Sequence, residues 1–240
     1  IYAAVPIAIT VEGANILTRS MIVYGQGAIR SHAYVRTEMA AIEAGDVAAF
    51  DRAFFRHIAF VTRNLVRAFL LGVTAGFLAP TPAVGPTERY FRRLSRFSAA
   101  FALISDAALA TLGGTLKRRE KISGRLADAL AWMYLGSAVL KRFRDEGEPE
   151  RDLAVMRWAG DLALSEIESA LRGVLDNLPS RPVAWVLRGV VFALAPRACP
   201  PSDALGGEVA SGLLEDDALR RHLSRDIYIP AAEEEGLGAL

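Results

Sequence analysis

Two hundred and forty residues at 52% hydrophobic content make a chain long enough for one or two buried cores and too apolar to be disordered over most of its length. Lys and Arg number 28 against 27 Asp and Glu, a formal charge of +1, so no net field recruits nucleic acid and any electrostatic function must be local. The single cysteine, Cys199, excludes an internal disulfide or a multi-thiolate metal site; His32, His57 and His222 stand far apart without a metal-ligand spacing, so no metal site is expected.

The chain opens on Ile1-Tyr2-Ala3-Ala4 with no initiator methionine and no signal-type segment, which reads as a piece of a longer protein. Residues 1–11 look extended, with Pro6 opposing an early helix. Apolar residues at Ile16, Leu17, Met21 and Tyr24 predict a one-sided helix over 13–25. Helical periodicity returns over 34–44 and stops at Gly45. Asp46 is placed to N-cap the next helix, which carries Phe50, Phe54, Ile58, Val61, Leu65 and Phe69 before Pro80, Pro82 and Pro86 end it. Thr87 opens a long helix, kinked or interrupted at Gly113-Gly114, and a helix continues through Leu130 and Leu140 to Gly147. A further helix runs from Pro149 to Asn177, two shorter ones cover 182–194 and 203–214, and the acidic tail after Pro230 reads as mobile or docked in extended form. The fold class is therefore all-α, with residues 87–178 long enough for an antiparallel bundle. No membrane span is expected: the apolar run 68–79 is short, Asp106 interrupts 97–116, and Arg188 lies within 182–196.

Chemistry concentrates near Glu12, which stands between an apolar extended run and a predicted helix start. Apolar surroundings raise a carboxyl pKa and suit a general base; a first-turn glutamate that only complements the helix dipole fits the same spacing. The tripeptide Glu12-Gly13-Ala14, followed by Arg19, resembles the acyl-CoA dehydrogenase segment in which a Glu-Gly-Thr tripeptide carries the catalytic base. The likeness is closest to the large bacterial FadE-type acyl-CoA dehydrogenases of fatty-acid β-oxidation. It extends over the block 10–30, over Leu112-Gly113-Gly114-Thr115-Leu116-Lys117-Arg118-Arg119-Glu120 with Ser123, Arg125 and Leu126, over Ser137-Ala138-Val139-Leu140-Lys141-Arg142 with Asp145-Glu146-Gly147, and over Pro201-Ser202-Asp203.

The resemblance implies that residues 1–30 end a catalytic helical domain and that 31–240 form an additional helical C-terminal domain. It implies Glu12 as the base, Val11 and Gly13 against the acyl-CoA substrate, and Ala14 and Asn15 at the edge of an FAD held mainly by other parts of the protein. The family's threonine after Glu-Gly is Ala14 here and the polar residue two places on is Ile16, which leaves Asn15 as the nearby polar substitute. It further implies dehydrogenation of medium- or long-chain acyl-CoA, a homodimer, an electron-transfer partner, and a location in the bacterial cytoplasm with peripheral contact to the inner membrane; this piece alone would be inactive. The competing reading is a non-catalytic helical interaction or membrane-docking module.

Three further features carry expectations. Lys117, Lys121 and Arg125 are spaced to share a helix face, either solvated and paired with Glu120 and Asp128 or open to phosphates or anionic lipid. Asp106 reads as a buried partner for an arginine. Trp185 and Phe192, seven apart, read as core residues or as one face of an interfacial helix. The long apolar helices also predict an exposed apolar surface that pairs with a second copy or with further domains.

Overall fold

Long Ala- and Leu-rich runs satisfy their backbone polar groups within each segment, and in the computed structural model all regular structure among the described residues is helical, with no strand. The structure describes residues 17–82, 84–192, 194–215 and 217–225. Val11, Glu12, Gly13, Ala14 and Asn15, the extended reading of 1–11 and the reading of the tail after Pro230 lie outside them.

A π-helix, Thr18–Gln26, leads into α1 (Gly27–Ser31), α2 (Val35–Glu43), α3 (Val47–Val73), α4 (Glu88–Leu112), α5 (Glu120–Asp145), α6 (Leu153–Asn177), α7 (Arg181–Phe192), α8 (Asp203–Glu215) and α9 (Asp217–Ser224). Asp46 caps α3 as expected, its carboxylate accepting the Ala49 N–H at 2.8 Å. Thr87 does precede α4, but its buried hydroxyl makes no capping bond. Gly113 takes φ 50°, a value that costs a side-chain-bearing residue steric strain, so of the kink or interruption expected at Gly113-Gly114 the structure has the interruption. A 3-10 segment, Gly113–Arg118, then turns the chain into α5.

Helices α4, α5 and α6 pack on one another around Ile104, Leu126, Leu140, Ile167 and Leu171, all buried. Helix α4 lies at the centre, touched by α3, α5, α6 and α7. With the turn after it, α4 is the one helix among the described residues long and apolar enough to cross a membrane; Phe97, Ala100, Leu103 and Ala108 are nevertheless buried by neighbouring helices, as in a core helix. Inside the bundle Glu168 is fully buried. It accepts the Ala198 N–H at 2.8 Å, pairs with Arg172 at 2.6 Å and faces buried Arg96 at 3.7 Å.

Helix α3 is apolar on more faces than its neighbours cover. Phe54, Phe55, Val66, Phe69 and Leu70 remain exposed, as expected for a surface that meets another partner. On its inner side α3 crosses α7 so closely that a Cβ on Gly72 would stand 2.6 Å from the Val190 carbonyl oxygen. Gly72→Ala is expected to destabilise by about 1–3 kcal/mol because one of two backbones must move. Gly207→Ala in α8, where a Cβ meets nothing within 4 Å, should stabilise by about 0.5–1 kcal/mol. Chemical denaturation of the two variants checks the opposite signs.

Two expectations for the α7 region and the basic cluster need correction. Trp185 and Phe192 do not share a fate: Trp185 is 65% exposed and Phe192 buried, because the inward stripe of α7 is Ala184, Leu187 and Val191, and Phe192 closes the helix under Arg172. Lys117 belongs to the 3-10 segment whereas Lys121 and Arg125 belong to α5, so the three share no single helix face. Arg125 also lies across α6, where a Cβ on Gly173 would meet its Cδ at 2.9 Å.

Candidate functional site

The segment following the Glu12 motif is fixed to the bundle by a few residues. The π-helix buries Ser20 and Tyr24, Tyr24 meeting Phe101 edge-on at 6.1 Å, while Leu17 faces outward against the predicted stripe. The looser π turn rotates the inward positions away from those an α-helix would use. Arg19 donates through Nε and Nη2 to the two carboxylate oxygens of Asp128 on α5, each at 2.5 Å, and this pairing raises its pKa above the ordinary value. Gly124, one turn earlier on α5, makes room: a Cβ there would stand 2.8 Å from Arg19 Nη1. Both partners are partly exposed, so the fork sets geometry more than stability.

Beside this segment, α2, α3, α4 and the 3-10 turn line a half-open cavity of about 710 Å³ walled by Val35, Met39, Phe54, Ile58, Leu103 and Leu109. That size suits a small organic ligand. Its polar groups are organised by hydrogen bonds. His32 Nδ1 accepts the N–H groups of Tyr34 and Val35 at 3.2 Å, closing the first turn of α2. Its proton therefore sits on Nε2, which donates to Asp106 Oδ1 at 2.9 Å. Asp106 thus has a histidine partner where an arginine was expected, since the chain entering α2 reaches it first. His57 Nδ1 meets Glu38 Oε1 at 2.9 Å; a carboxylate only accepts, so Nδ1 carries a proton and donates it. The His57 ring stacks on Tyr34 at 5.6 Å and lies 4.7 Å from His32. Burial pushes the Tyr24 phenol up to about 12, with the Ser105 hydroxyl opposing and the Asp106 charge adding to the rise.

Sequence distance did not keep the histidines apart. Ligand-type atoms of His32, His57 and Asp106 lie within 4.8 Å of one another. A metal-bound imidazole normally donates its other N–H, whereas the other nitrogen of His32 is an acceptor for two backbone amides, so the group is built as a hydrogen-bond array. A second cluster joins α9 to the α5–α6 turn: His222 Nε2 lies 3.0 Å from Glu146 and 3.1 Å from Asp152. Burial acts to raise the Glu146 pKa, but hydrogen bonds from Arg142 and His222 and the charges of Arg142 and Arg225 outweigh it and hold the carboxylate below its ordinary range. Two arginines already neutralise this cluster, which marks it as a structural tie.

Of the residues expected at the site, none of Val11, Glu12, Gly13, Ala14 or Asn15 falls among the described residues, and the motif is represented by Arg19 alone. Glu38, His57 and Asp106 converge from three helices, and no local pattern could signal that convergence. Residues 29–240 match the protein family described as acyl-CoA dehydrogenase, C-terminal, bacterial type. No solved structure matches the chain.

Proposed function

The chain belongs to the bacterial-type acyl-CoA dehydrogenase C-terminal family, and from that premise we propose that it ends an enzyme that converts medium- or long-chain acyl-CoA to trans-2-enoyl-CoA in fatty-acid β-oxidation, with Glu12 as the base. The family match over residues 29–240 carries this reading. Residues 1–30 are proposed to close the catalytic domain and 31–240 to brace it, the Arg19–Asp128 fork holding the segment seven residues past Glu12 against α5.

FAD, the cofactor of acyl-CoA dehydrogenases in general, supplies the hydride acceptor of such a reaction. The described cavity does not fit it: two carboxylates, Glu38 and Asp106, line it against one lysine, Lys117, where a pyrophosphate needs several donors and no facing negative charge. The flavin is accordingly assigned to other parts of the protein, with Ala14 and Asn15 at its edge. Glu12 takes the α-proton, Val11 and Gly13 border the substrate, and the Glu12 backbone N–H donates to the thioester oxygen as negative charge develops there.

The exposed apolar residues of α3 support packing against catalytic domains and a second copy. Exposed Trp185 and Val186 on α7 favour, as a second reading, peripheral attachment to the inner membrane from the cytoplasm. An electron-transfer partner would reoxidise the flavin. The test is to purify a longer protein that includes this chain alongside the chain itself. The longer protein should carry FAD and form enoyl-CoA, and the chain should do neither; stoichiometric FAD on the chain alone, or no dehydrogenation by the longer protein, would refute the assignment.

A further inference from the structure

The chain leaving α3 reverses in a fixed turn that carries large apolar side chains on its outside. Helix α3 stops at Val73, and Ala75 and Gly76 take φ 51° and 87°. The Gly76 N–H donates to the Leu71 carbonyl at 2.8 Å and the Phe77 N–H to the Thr74 carbonyl at 2.9 Å, which holds the reversal in shape. Gly76 also lies so close to α4 that a Cβ would stand 2.7 Å from the Arg92 carbonyl oxygen. On this turn Phe77 is 68% exposed and Leu78 58%, and the last two turns of α3 add exposed Val66, Phe69 and Leu70. Apolar side chains held outward together mark a contact surface.

The charge beside them decides what kind of surface they meet. An open cleft of about 670 Å³ runs from Phe77 along the first turn of α4, lined by Glu88, Arg89, Arg92 and exposed Arg157. Glu88 pairs with Arg92 at 2.6 Å and Asp161 with Arg89 at 3.3 Å, whereas Arg157 has no ion pair among the described residues. Three guanidiniums against two carboxylates leave the cleft positive, and guanidinium forks suit phosphate oxygens. The Arg92 guanidinium lies 4.6 Å over the Phe77 ring, so the basic cleft and the apolar turn form one surface. A free anion would satisfy the cleft alone, and an apolar protein face the turn alone. An anionic bilayer satisfies both, because its phosphates and acyl chains lie in adjacent layers.

We propose that this end of the bundle docks on an anionic phospholipid bilayer, Phe77 and Leu78 entering the acyl boundary and the arginine-lined cleft taking a lipid phosphate. This rests on the peripheral attachment given above as a second reading, and moves its principal contact from α7 to the turn after α3. The other end of the bundle stays open to the catalytic domains: Arg19 is anchored near the start of α5, and Phe54 lines the cavity beside Gly25 and Gly113.

Flotation of the 240-residue chain with vesicles of pure phosphatidylcholine, or of phosphatidylcholine mixed with phosphatidylglycerol, tests it. The mixed vesicles should bind at least about tenfold more tightly, with the difference shrinking at high salt. Phe77→Ser combined with Leu78→Ser changes only exposed side chains, so helicity and urea midpoint should hold while binding to mixed vesicles falls at least about tenfold. Arg157→Gln should weaken binding to the mixed vesicles about threefold or more and leave phosphatidylcholine unaffected. Equal affinity for the two vesicles would overturn the role of the cleft. Undiminished binding by the double variant, with loss in Trp185→Ala, would overturn this surface and keep peripheral attachment, whereas no binding of the unaltered chain to either vesicle would overturn both. A dimer that becomes a monomer in the double variant would assign the turn to a second copy instead. Calorimetric binding of glycerol 3-phosphate by a chain that ignores vesicles would make the cleft a site for a free phosphate ester and refute the lipid.

Discussion

Glu168→Ala is expected to lower the unfolding free energy by about 3–5 kcal/mol, the largest single-residue effect on stability in the bundle. Three groups depend on this carboxylate. Arg96, 4% exposed, has its pKa lowered by desolvation, with Glu168 the group that opposes the fall. Arg172 donates to Glu168 from α6 and stacks its guanidinium over Phe192 at 4.1 Å, tying α7 to the same point. The Ala198 N–H, in the chain leaving α7, ends on Glu168 Oε2. Truncation leaves a buried cation without a counter-charge and a buried amide without an acceptor, each a recognised source of large losses. Glu168→Gln should lie between wild type and alanine, since it keeps acceptor oxygen for the amide but removes the charge. Urea unfolding followed by circular dichroism measures both; a loss under about 1 kcal/mol in the alanine variant would mean that Arg96 reaches water or another partner.

The parts of this molecule that were legible in the sequence are those governed by local chemistry. Asp46 before an apolar run, Gly113 and Gly147 at helix ends, and Asn177 before Pro179 each act within a few residues, so most of the helix order follows from them; the prolines at 80–86 do not set the end of α3, which stops at Val73 where Ala75 and Gly76 take positive φ. Outcomes set by three-dimensional neighbours were not legible. The Glu168 network joins residues 96, 168, 172 and 198, and nothing at any one of those positions names the others. Asp106 showed itself as a charge in an apolar stretch, yet its partner depended on where His32 capped α2. Lys117, Lys121 and Arg125 read as one face because helical spacing was taken to hold from Lys117 onward, whereas a 3-10 segment reaches Arg118 and the α-helix begins at Glu120. The family likeness was legible for a different reason: it rests on residue order along the chain, which does not require the fold to be known, and the match over residues 29–240 bears it out.

For activity the largest effect belongs to Glu12. In the longer protein Glu12→Gln is expected to reduce dehydrogenation by about 10²–10⁴-fold, the usual range for a positioned general base. The side-chain amide is nearly the same size as the carboxylate but has no basic oxygen able to take the α-proton at neutral pH. The backbone N–H that would polarise the thioester is untouched, so substrate affinity and flavin content should stay near wild type, and the loss should fall on kcat. Asp128→Asn separates this chemical role from the brace. It weakens the fork to Arg19 without touching the base, and its defect should be smaller and partly restored by Asp128→Glu, which keeps a carboxylate within reach of the guanidinium. Stopped-flow bleaching of the flavin under excess acyl-CoA reads the proton-abstraction step directly. Bleaching within about tenfold of wild type in Glu12→Gln would remove Glu12 as the base.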